Sequence, residues 1–99
     1  MLLLSMLVGL QLVATDPVPA LDVHPGCQST VDTAGMSEQA CLGDEQAARD
    51  QLTKVWPQFQ ASDKAMCVDQ TRNFQPSYVE LLTCLELMRD ARIPYHPGQ

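Results

Sequence analysis

In the stretch Pro76-Ser77-Tyr78-Val79-Glu80-Leu81-Leu82-Thr83-Cys84-Leu85-Glu86-Leu87-Met88, every local signal points to a helix. Ser77 with Glu80 three residues on fits a capping box, in which the two side chains satisfy each other's backbone donors. Tyr78, Leu81, Leu82, Leu85 and Met88 fall on one side at helical spacing, with Cys84 at its edge. Arg89 and Arg92 stand near the C-terminal end, where the helix dipole favours positive charge. Pro94 stops the helix.

Two more helices are expected upstream. Ser62 is a good N-cap, Asp63 suits the first position, and Ala65, Met66, Cys67 and Val68 supply an apolar side before the helix fades at Arg72. The longest helix begins after Ser37, with Glu38 at the positive end of its dipole. Its apolar residues Cys41, Ala48, Leu52, Val55 and Phe59 are spaced seven, four, three and four apart, which traces one face. Glu45 with Arg49 and Asp50 with Lys54 form i,i+4 pairs, so Asp44 and Glu45 are expected on the solvated side. Pro57 disfavours helical geometry at Trp56 and ends or kinks the helix there. Residues 21–36 are rich in turn formers (Asp22, Pro25, Gly26, Ser29, Asp32, Gly35) and are expected to be irregular, with a short helical turn around Gln28–Ala34 as the alternative. The expected fold is all-α: a small three-helix antiparallel domain over residues 37–93, stapled by two disulfides, with residues 94–99 as a tail.

The staples are Cys27, Cys41, Cys67 and Cys84. An even number of cysteines in a short exported chain implies a disulfide framework, and a domain this small needs one. Antiparallel second and third helices bring Cys67 and Cys84 to similar heights, leaving Cys27 for Cys41. Cys41–Cys84 with Cys27–Cys67 is the main alternative, because spacing alone does not fix connectivity.

Export is expected from residues 1–20. Leu2–Ala14 is an apolar run of signal-peptide length, and Val18-Pro19-Ala20 offers small residues for cleavage after Ala20. No Lys or Arg precedes the run. A membrane anchor is the competing reading, but the run falls short of the roughly 20 residues that span a bilayer. Six basic against twelve acidic residues leave a net charge of −6. That excludes a basic footprint for nucleic acid and offers no cluster for anionic lipid, so no membrane contact beyond the leader is expected.

No catalytic residue set stands out. The serines lie outside any G-x-S-x-G elbow, His24 and His96 lie in loop and tail, and no glycine-rich phosphate loop occurs. The cysteines are separated by 13, 25 and 16 residues, unlike the close pairs of zinc sites or thiol oxidoreductases. No cofactor or metal is expected. Trp56, Phe59, Phe74 and Tyr78 cluster around the helix connections. Trp56, Phe59 and Tyr78, with the acidic outer face of the longest helix, are the first candidates for a partner surface. The alternative role for these aromatics is to close the ends of a thin core.

Trp56-Pro57-Gln58-Phe59, Ala61-Ser62-Asp63-Lys64-Ala65-Met66-Cys67 and Pro76-Ser77-Tyr78-Val79-Glu80-Leu81-Leu82-Thr83-Cys84-Leu85-Glu86 resemble a group of small exported cysteine-containing helical proteins of alphaproteobacteria without an established function. The resemblance covers roughly Cys41 to Arg92; members often carry Trp where this chain has Leu81. A more distant likeness is to small periplasmic helical proteins that inhibit lysozymes. The resemblance implies a periplasmic or secreted bacterial protein. The expected function is a non-enzymatic binding, inhibitory or structural accessory module acting on another periplasmic or envelope protein. The alternative class is a thiol redox or metal-handling protein using Cys27, Cys41, Cys67 and Cys84.

Overall fold

A computed structural model describes residues 16–92. Most of the expected leader and the whole tail, with Pro94 and His96, lie outside the described residues.

The described residues form four helices: α1 (His24–Ala34), α2 (Glu38–Val55), α3 (Ala61–Arg72) and α4 (Tyr78–Ala91). A single 3-10 turn, Trp56–Gln58, joins α2 to α3. The Pro57 break falls there, as its geometry requires. The fold is all-α and carries both disulfides, Cys27–Cys41 and Cys67–Cys84.

The segment 21–36, expected to be irregular, contains α1. Its composition is poor for a helix, and local and tertiary features compensate. Pro25 sits in the first turn, where its missing N–H costs nothing. Thr30 and Thr33 turn their hydroxyls back to the Gly26 and Ser29 carbonyls at 3.0 and 2.8 Å. Gly35 ends the helix at φ 70°, a left-handed conformation suited to glycine. Cys27, fully buried, bolts α1 to α2.

The α2 cap is as expected: Ser37 Oγ accepts from the Ala40 amide at 3.0 Å. Helix α3 starts earlier than expected. Gln60, not Ser62, is its cap, because the chain is still extended at Phe59 and Gln60 and turns helical from Ala61. At α4, Ser77 Oγ caps the Glu80 amide at 3.1 Å. The reciprocal half of the capping box is replaced, since the Ser77 amide donates to Thr71 Oγ1 at 3.0 Å.

Helix α4 packs against both α2 and α3, and α1 lies on α2. Glu45 of α2 meets the start of α4, and Phe59 just beyond α2 lies under Arg89 near its end. These contacts make α2 and α4 parallel. Asp63, in the first turn of α3, pairs with Arg92 at the end of α4, so α3 runs opposite. The core gathers Leu52, Trp56, Phe59, Cys67, Tyr78, Leu81 and Leu85, with Leu82 and Met88 at its margin.

Candidate functional site

Trp56, Phe59 and Tyr78, the candidates for a partner surface, are turned inward. They are 4%, 6% and 4% exposed, so the core takes all three. Each is also covered by a cation of the same chain: Lys64 lies 4.9 Å over Trp56, Arg89 5.8 Å over Phe59 and Arg49 5.5 Å over Tyr78. Of the aromatics around the helix connections, only Phe74 faces outward, at 80% exposure.

Glu45 is also relocated. It is 7% exposed rather than solvated, and it does not pair with Arg49. Its carboxylate accepts from Ser77 Oγ at 2.6 Å, from the Tyr78 amide and, at 3.4 Å, from the Val79 amide. A buried carboxylate at a helix N-terminus is stabilised by free amides and the dipole together. Asp44 remains exposed. Asp50 accepts from Gln46 at 3.0 Å instead of pairing with Lys54. The buried Asp63 is held by the Arg92 guanidinium through two nitrogens, at 2.5 and 3.2 Å. That contact raises the affinity of the guanidinium for its proton.

With the aromatics turned inward, the apolar side chains left outside have a pattern. Five large hydrophobic residues are exposed among the described residues: Met36, Met66, Phe74, Val79 and Leu87. Met36, Phe74, Val79 and Leu87 line a single open groove of about 940 Å³. The groove follows the outer side of α4, flanked by the α1–α2 pair and by the end of α3 with its connector. Both disulfides border it through Cys41, Cys67 and Cys84. Val79 and Leu87, eight residues apart on α4, are separated by about 12 Å at the helical rise of 1.5 Å per residue. Asp44 and Glu80 stand on its walls, and no lysine or arginine lines it.

The missing positive charge has an internal cause. Arg49, Lys64, Arg89 and Arg92, four of the six basic residues, lie over the chain's own aromatics or pair with Asp63.

No family model, curated protein or solved structure matches the chain.

The four cysteines are all paired, so none presents a thiolate in this state. His24 sits at the exposed start of α1, hydrogen-bonded to Asp22 at 3.0 Å. Among the described residues, no helix is long and apolar enough to cross a membrane. The feature with the chemistry of a site is therefore the groove: apolar, open and bordered by negative charge. Exposed apolar surface gathered in one place marks an interaction site more often than the same residues scattered. The sequence signal for it was thin. Phe74, placed in a connector before a proline, was the one hint.

Proposed function

We propose that this chain is an exported, non-enzymatic binding module whose groove receives a basic, amphipathic segment of another periplasmic or extracellular protein. One observation carries this reading: among the described residues, four of the five exposed large hydrophobic ones line one groove that contains acidic but no basic side chains. A partner helix would lay its apolar face along Val79 and Leu87 and under Phe74. Its lysines or arginines would meet Asp44 and Glu80, speeding encounter and rejecting acidic competitors. The net charge of −6 acts in the same direction at longer range. Export is supported by the apolar leader sequence and by two disulfides, which persist in oxidising compartments.

The test uses designed peptides rather than an unknown partner. A basic amphipathic helical peptide is titrated into isotopically labelled protein beside an acidic peptide with the same apolar face. Binding of the basic peptide is expected to shift the amide resonances of Phe74, Val79 and Leu87, with the acidic peptide inert. Equal binding of both peptides, or shifts away from the groove, would sink the proposal. Shifts that appear on concentrating the protein alone would point to a second copy as the occupant and count equally against it.

A further inference from the structure

The residues before α1 are built into the domain. Trp56 is almost fully buried, and its indole N–H donates to the Asp16 carboxylate at 3.1 Å. Lys64 bonds the same carboxylate at 3.3 Å while its ammonium covers the Trp56 ring. At the other end of the strap, the Tyr78 hydroxyl donates to the Pro19 carbonyl at 3.1 Å and accepts from the Leu21 amide at 2.8 Å. Val18 and Leu21 pack against the core cluster. Pro17 and Pro19 suit a strap, because fixed φ angles reduce the entropy lost on ordering and they bring no amide donor to satisfy.

Cleavage after Ala20 would discard Asp16, Val18 and Pro19. It would remove the protein acceptor of the only tryptophan's N–H and the acceptor of the Tyr78 hydroxyl. We propose instead that Asp16–Ala20 belongs to the mature domain and that the leader is cut after Ala14, leaving Thr15 as the new N-terminus. The sequence upstream can supply such a site. Leu2–Val13, interrupted only by Ser5, Gly9 and Gln11, is long enough for the apolar core of a signal, and Ala14 is a small residue just before the cut, with Leu12 at the second position the peptidase reads. The fold keeps what this cut spares.

This inference rests on the export reading, and the experiment separates the two. The full chain is produced in a Gram-negative host, and the intact mass of the protein in the periplasmic fraction is measured. A mass beginning at Thr15 is expected, with processing blocked by Ala14→Tyr and unaffected by Ala20→Tyr. An exported protein beginning at Leu21, or one left uncut, overturns the inference while leaving export standing. A protein found only in the cytoplasm with reduced thiols overturns export and this cut together. In the exported protein, Asp16→Ala is expected to shift Trp56 emission to longer wavelength and lower the thermal midpoint. No change in either would show that the strap is not structural, whatever the cut.

Discussion

The carboxylate of Glu45, on α2, accepts a hydrogen bond from Ser77 Oγ at 2.6 Å and thereby braces the start of a helix 32 residues further along the chain. Ser77 uses the same hydroxyl oxygen to accept from the Glu80 amide, so the residue joins a local cap to a long-range anchor. The contact sets the height of α4 against α2, and with it the position of Val79 in the groove.

Glu45→Gln should lower stability by about 1–2 kcal/mol and Glu45→Ala by about 2–3 kcal/mol, the range for buried hydrogen bonds to a charged group. Urea unfolding measures both. Wild-type stability in Glu45→Ala would show that the anchor is idle.

Asp16 gives a pH dependence of known sign. Loss of water beside the domain raises its pKa, but hydrogen bonds from Lys64 and Trp56 and the Lys64 charge prevail, so it lies below its ordinary 3.8. A carboxyl depressed in the folded state contributes stability above its unfolded value and loses it as pH falls through the folded one. Trp56 emission and the thermal midpoint should therefore change in acid below pH 3.8. Asp16→Asn should remove that part of the profile; an unaltered acid transition in this variant would assign it to other groups.

The two disulfides should differ in consequence though not in loop entropy. Their sequence separations of 14 and 17 predict about 3 kcal/mol each in the chain-entropy model. Cys67 lies in the core cluster, whereas Cys27 and Cys41 lie outside it. Replacing Cys27 and Cys41 with alanine should strip hydrogen-exchange protection from α1 while α2, α3 and α4 keep theirs. Replacing Cys67 and Cys84 should lower protection throughout. The reverse pattern would contradict the assignment of the core.

Phe74→Ala and Leu87→Ala should leave stability within about 0.5 kcal/mol of the wild type, as expected of exposed positions, yet abolish binding of the basic peptide. Loss of both together would mean that these side chains serve the fold.

Helix α4 was legible because cap, stripe and terminal charges agree locally. Helix α1 was not, because a glycine, a proline and several β-branched or turn-forming residues speak against it, and a bridge to α2 holds it. Glu45 carried a signal that its charge concealed. The step of seven from Cys41 to Ala48 skips a position, and Glu45 fills it at steps of four and three, on the buried face. Charge pairing with Arg49 predicted the opposite side, and tertiary demand from the Ser77 and Tyr78 donors prevailed. Asp63 was read only as a first-turn residue because its partner, Arg92, is far along the chain. The groove depends on which aromatics the core takes, and that is decided only when all the helices are packed.

The bridges join each cysteine to its neighbour in sequence, first with second and third with fourth. In a chain that emerges N-terminus first, Cys27 meets Cys41 before Cys67 has appeared, and the last two then have only each other. An oxidase acting on thiols in order of arrival would thus make the native pairs directly, with no wrong bond to reshuffle. The topology thus ties each native bridge to the order in which the cysteines are made, and neither bridge has to wait for a cysteine beyond its immediate successor.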